Sequence, residues 1–221
     1  MSLSRRTVTI LLALLLLAGG TVFLLRLVNI NEIAHPRRVD SLYVRVLEEN
    51  YRSGLSSKEK FVTAHFYYTP ADLGMPFSEM EITSFDSITL KAWLIPAGPQ
   101  DNNITLVQIH DLNESRITGL EAARQFRDRG FTVVMPDMRA HGASGGDLFT
   151  FGPKETRDLQ KVINSVKEAT TSENIVLVAK GANASIAAAL LAEDHSLKAA
   201  VLQSPYDSLT GYLRNLSKEK W

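Results

Sequence analysis

Residues 174–185 read NIVLVAKGANAS. The run from Ile175 to Ala179 is apolar and has the length of a short buried strand. Gly181 punctuates it, and small residues from Ala182 onward open an alanine-rich segment that reads as a helix over 182–193. A strand that turns sharply into a helix is half of a βαβ unit, which belongs to a parallel sheet with helices packed on its faces.

The flanking sequence repeats the alternation. Strand candidates lie at 79–84 (EMEITS), 88–97 (ITLKAWLIPA), 104–110 (ITLVQIH), 131–137 (FTVVMPD), 174–179 (NIVLVA) and 199–205 (AAVLQSP). The first two alternate in polarity on either side of FDS and read as an antiparallel hairpin. The last four are near-continuous apolar runs, as strands covered on both faces are. Helical segments at 115–129, 153–169 and 182–193 separate those four, with Gly130 as a C-terminal stop and Pro153 in a first turn. The expected fold is α/β: a mostly parallel sheet of an N-terminal hairpin plus four parallel strands, flanked by helices.

With 221 residues, 45% hydrophobic and 22% charged, the chain can bury one good-sized core. Its 24 basic and 24 acidic residues cancel and form no long basic run, so nothing calls for a nucleic-acid partner. Cysteine is absent, which excludes disulfides, a thiolate nucleophile and cysteine-ligated zinc.

The N-terminus carries a different signal. Residues 7–25, TVTILLALLLLAGGTVFLL, are nineteen without a charge, and a helix of that length rises roughly 28 Å, close to the thickness of a bilayer core. Arg5 and Arg6 precede it, so the positive-inside bias keeps the N-terminus cytoplasmic and exports the rest. The other reading is a cleaved signal peptide ending at Ala18-Gly19-Gly20; the apolar character that resumes at Val22 favours an uncleaved single-pass anchor. The expected division is a signal anchor at 1–28, a membrane-proximal lead-in at 29–78 with a helix over 39–53, and an α/β domain at 79–221.

Several motifs together resemble one superfamily, the α/β-hydrolases, and within it the group of serine aminopeptidases and monoacylglycerol lipases. PDMRAHGASGG (136–146) is similar to that group's P-D-x-R-G-H-G-x-S-G-G, with Ala140 in place of one glycine. TFGPKETRDLQKVINSV (150–166) resembles the helix that follows it. IHDLNESR (109–116) stands where the family has H-G-x-x-x-S/N-R, and LQSPYDSL (202–209) resembles D-S-P-F-x-D-L. With TPADLGMPFSEMEITSFDSITLKAWLIPA (69–97) leading into the hairpin, the likeness runs over 69–209 in the family's order.

The resemblance implies a serine nucleophile in G-x-S-x-G on the turn after the fifth strand, two backbone N–H groups for the oxyanion, and an acid and a histidine later in the chain. Here the turn reads AKGAN. Gly181 takes the nucleophile position and has nothing to attack with, and Ala179 and Asn183 replace the flanking glycines. By resemblance the hole-forming N–H groups belong to Leu112 and Ala182. Asp111 stands where the family has glycine, and a carboxylate beside that hole would oppose a developing oxyanion.

No other residue supplies the missing parts. Ser185 is one helical turn beyond Gly181, about 6 Å down the axis, and reads as a packing residue. Ser144 and His110 read as structural. Asp207 matches a position that is usually structural, and His195 falls in a loop at the far end of the sheet. The family's acid and histidine follow a seventh and an eighth strand, and the chain reaches Trp221 shortly after its sixth. A metal site from Asp137, His141 and Asp147 is weighed against loop-shaping roles for all three; no metal or cofactor is expected. Sequons at Asn103, Asn113, Asn183 and Asn215 read as chance.

The functional expectation is a membrane-anchored, exported α/β-hydrolase-fold protein that is catalytically inactive, acting as a binding or accessory domain or representing a decayed fragment. A protein partner at the exposed edge of the sheet goes with that reading. The alternative is a truncated member of an active serine hydrolase family.

Overall fold

The computed structural model describes residues 67–170 and 172–219, with residues 34–36, 38, 39 and 45. The apolar run 7–25 and nearly all of the helix expected over 39–53 lie outside the described residues. Of the unit Met1–His35 only residues 34 and 35 are described, and the unit Pro36–Trp221 contains everything that follows. Among the described residues no helix is long and apolar enough to cross a membrane.

Six strands form one mixed sheet: β1 (Ser78–Thr83), β2 (Thr89–Ile95), β3 (Ile104–Ile109), β4 (Thr132–Pro136), β5 (Asn174–Lys180) and β6 (Ala199–Gln203). Their spatial order is β1-β2-β4-β3-β5-β6. β1 pairs antiparallel with β2, β2 antiparallel with β4, and the remaining four strands run parallel. Among the described residues three α-helices connect the parallel strands, α1 (Leu120–Asp128), α2 (Pro153–Ala169) and α3 (Gly181–Glu193), and α4 (Leu209–Glu219) follows β6.

This order locates the functional crevice. From β3 the chain crosses to β4 on one side, and from β5 it crosses to β6 on the other, so the neighbouring carboxyl ends of β3 and β5 form a topological switch point. Right-handed crossovers then place α1 on one face of the sheet and α2 with α3 on the opposite face. On the α1 side Trp93, Ile95, Val133 and Met135 pack with Leu120 and Ala123. Leu159, Val162, Ile163 and Val166 of α2 and Ile186, Ala187 and Leu190 of α3 are buried.

The expected helix at 115–129 is divided. Arg116–Gly119 is a 3-10 turn, capped by the Ser115 hydroxyl accepting the Ile117 N–H at 3.3 Å, and Gln108 Nε2 donates to the Gly119 carbonyl at 3.0 Å. That side-chain bond ties the start of α1 to β3. β5 runs one residue further than expected and α3 opens directly at Gly181, whose φ of 53° makes the strand-to-helix bend.

β6 ends the sheet and is the least covered strand. Its residues alternate between exposed and half-buried, and Val201 is 60% exposed, whereas β3 has four of six residues buried. A cavity of about 390 Å³ lies between α1 and this edge, lined by Phe126, Met135, Val178, Lys180, Val201 and Gln203 among others.

Candidate active site

The crevice at the switch point is formed by the loop after β3 and the turn after β5, held together by register: Ile109 pairs with Ala179 at the last rung, so His110 and Lys180 emerge side by side. Gly181 follows in the left-handed region, a backbone conformation that glycine adopts at little cost. The sharp bend expected of a nucleophile turn is therefore present, and the residue on it carries no side chain.

The two N–H groups expected to form an oxyanion hole converge on a single atom. Asp111 Oδ1 accepts the Leu112 N–H at 2.6 Å and the Ala182 N–H at 3.0 Å. The carboxylate is thus seated in the hole. It also fills the space above Gly181, where a Cβ would overlap the carboxyl carbon and both oxygens. The sequence alone puts this charge beside the expected hole, not within it. Its position inside depends on contacts that no local pattern displays, although the joint departure from the family's pattern at 111 and 181 was a signal.

Those contacts fix the backbone around Asp111 from both sides. Its N–H donates to Glu114 Oε2 at 3.2 Å, and Lys180 Nζ bonds both Glu114 oxygens, at 3.1 and 3.3 Å. Burial pushes the Glu114 carboxyl up, but the Asp111 N–H and the Lys180 ammonium outweigh it and hold the group below the usual carboxylate range. His110 Nδ1 donates to the Asp111 carbonyl at 2.7 Å, and Asn183 Nδ2 donates to the His110 carbonyl at 2.8 Å.

His110 is itself fully engaged. Its Nε2 accepts the Met138 N–H at 3.1 Å, and its ring lies 4.8 Å from that of His141. His141 donates from Nδ1 to the Arg139 carbonyl at 2.8 Å and accepts the Asn113 N–H at Nε2. Burial, reinforced by the neighbouring His110 ring, pushes His141 down to about 3. The pair joins the loops after β3 and β4.

The other candidates are occupied or remote. Ser185 Oγ donates to the Tyr206 carbonyl at 3.1 Å and accepts the Tyr206 N–H at 2.8 Å, tying α3 to the segment after β6. Ser144 Oγ donates to the Asp137 carbonyl and accepts the Lys91 N–H. Asp207 is exposed, and His195 is exposed in the loop before β6. Asp137 is buried, accepts the Arg116 and Ala143 N–H groups and pairs with Arg116 Nε at 3.2 Å. Asp147 lies at the surface, paired with Arg38 at 3.5 Å. The considered metal set of Asp137, His141 and Asp147 therefore does not converge, and among the described residues no His, Asp and Glu cluster suits a metal ion.

Comparison with known proteins agrees with this architecture. The family described as serine aminopeptidase, S33, matches over residues 100–218, more than half of the chain. An esterase of Pyrococcus furiosus superposes with a TM-score of 0.61 at 30% identity, over 70% of this chain and 63% of the esterase. The polyketide transferase GrgF of a Penicillium species is 28% identical over 148 residues, 62% of this chain and 48% of that protein. YqkD of Bacillus subtilis is 27% identical over 123 residues, 51% of this chain and 40% of its own length. The chain thus spans between 40% and 63% of the length of these relatives.

Proposed function

This chain belongs to the serine aminopeptidase S33 family of the α/β-hydrolase superfamily, and from that premise we propose that it is a member without hydrolase activity, serving as a binding or accessory domain. One observation carries the reading. The turn that would bear the nucleophile bears Gly181, and the anion-binding N–H groups beside it hold the protein's own Asp111. Acyl transfer needs both a nucleophile and an empty hole for the charge that develops on the substrate oxygen.

The binding role falls to the β6 side, where the last strand and the cavity next to α1 leave apolar side chains such as Val201 uncovered. The apolar run at 7–25 and the arginines before it support a single-pass anchor, with the N-terminus cytoplasmic and the folded domain exported. The second reading is a working hydrolase whose acid and histidine lie on further strands. It draws on the chain's spanning about half the length of its relatives, and a missing tail leaves Gly181 unexplained.

A fluorophosphonate probe applied to the purified domain separates the two. No serine is expected to be labelled, and specific labelling of any serine overturns the inactive reading. Topology is checked by fusing a reporter that is active only outside the cytoplasm to the C-terminus; an inactive fusion overturns the proposed export.

A further inference from the structure

We propose that Asp111 is a built-in anion: its carboxylate permanently occupies the Leu112 and Ala182 N–H pair, so that a hole suited to a transient oxyanion serves as a fixed cap joining the loop after β3 to the start of α3. The inference rests on the non-catalytic reading of this site and assigns the site a positive role.

Three observations converge on it. The two donors come from elements far apart in sequence, the Ala182 N–H and Asp111 being 71 positions apart, yet they meet at one oxygen. The volume taken by the carboxylate is the volume in which any side chain at 181 would begin, so the cap and the glycine depend on each other. Finally, the backbone of residue 111 is held independently of its side chain: Glu114, backed by Lys180, accepts its N–H, Asn183 donates to the His110 carbonyl of the same peptide, and the His110 ring donates to the Asp111 carbonyl.

The charge suits the position. Ala182 lies in the first turn of the thirteen-residue helix α3, where the helix dipole and unpaired N–H groups favour a negative partner. An Asp at this place does across the crevice what an N-cap residue does from within its own chain segment. Because the surrounding backbone is braced, removing the side chain should empty the hole without collapsing it. A small planar carboxylate from solution then fits the vacancy.

The test uses the full chain in detergent, comparing wild type with Asp111→Ala. The variant should melt roughly 2–6 °C lower, the loss expected for a missing helix cap in a chain of this size. Sodium formate should restore at least half of that loss and saturate, while sodium chloride at equal ionic strength should not, and wild type should respond to both salts alike. An undiminished melting temperature in Asp111→Ala, or equal responses of the variant to formate and chloride, overturns the proposal. If the variant does not fold, hydrogen exchange on wild type decides. The Leu112 and Ala182 amides should exchange on the order of 100-fold or more slower than in an unstructured peptide, and unprotected rates overturn the cap. Protected amides in a protein that labels with fluorophosphonate would remove the inactive reading and leave the cap standing; unprotected amides in an unlabelled protein would do the reverse.

Discussion

The carboxylate of Asp111 and any side chain at residue 181 compete for the same space, because a Cβ built on Gly181 falls well inside van der Waals contact with the Asp111 carboxyl group. Introducing a serine by Gly181→Ser should therefore not create hydrolase chemistry. The Ser Oγ would displace the carboxylate from the hole or be displaced itself, and residue 181 would bear a side chain at a φ of 53°. A destabilisation of about 2–4 kcal/mol is expected, combining overpacking with backbone strain. The pair should be non-additive: Gly181→Ser in an Asp111→Ala background should cost about 1–2 kcal/mol less than in wild type. Urea unfolding of the four proteins measures the coupling, and simple additivity would show that the two positions do not share a volume.

Asn183, at a position where the resemblance expects glycine, makes a structural bond. Its Nδ2 donates to the buried His110 carbonyl at 2.8 Å, while its Oδ1 is buried with no hydrogen-bond partner. Asn183→Ala should cost about 1–3 kcal/mol by leaving that carbonyl unpaired. It should also loosen the loop holding Asp111, which faster hydrogen exchange at the Leu112 amide would report.

The loop after β4 is anchored by a second buried network. Arg139, 3% exposed, bonds Asp158 through Nε at 2.5 Å and Nη2 at 2.9 Å and reaches Asp86 at 3.1 Å, with Glu155 3.8 Å from its Nε. Ser84 donates to the same Asp158. Asp158 is fully buried, so Arg139→Ala strands its carboxylate and should cost about 3–5 kcal/mol. Replacing Arg139 and Asp158 together by Met and Leu should cost far less than the single change. Equal losses in the single and double variants would place the stabilisation in packing instead of charge pairing.

The sheet was readable from sequence because its information is local. The hairpin's alternation, the apolar runs at 104–110 and 174–179 and the Gly130 stop each reflect a period or a turn residue acting within a few positions, and no end of the six strands moves by more than two residues. The Arg116–Gly119 turn was not readable, since it depends on the Gln108 amide reaching across from β3. The site divides the same way. That Gly181 cannot attack, and that a carboxylate at 111 would oppose an oxyanion, follow from residue type once the family resemblance marks those two positions. That Asp111 sits inside the hole depends on Glu114, Lys180 and Asn183, and the last two lie about seventy positions away.

Buried His141 gives the domain an acid sensitivity with a defined window. His141 is pushed down to about 3 in the folded chain by burial and by His110, with Arg38 adding in the same direction, while an unfolded chain holds a histidine near 6.5. Between those values the unfolded state binds more protons, so stability rises with pH there. The contribution is fully present above about pH 6.5 and is lost as pH falls toward 3. The slope approaches about 1.4 kcal/mol per pH unit, or roughly 2 kcal/mol between pH 6.5 and 5. Asp86 and Glu114, both held below their ordinary values, lose their contributions only at lower pH, below about 4.5. Urea midpoints at pH 7.5 and 5.0 should therefore differ in wild type, and the difference should shrink in His141→Gln, whose amide can still accept the Asn113 N–H but gains no proton. An unchanged pH difference in that variant would assign the acid sensitivity to another group.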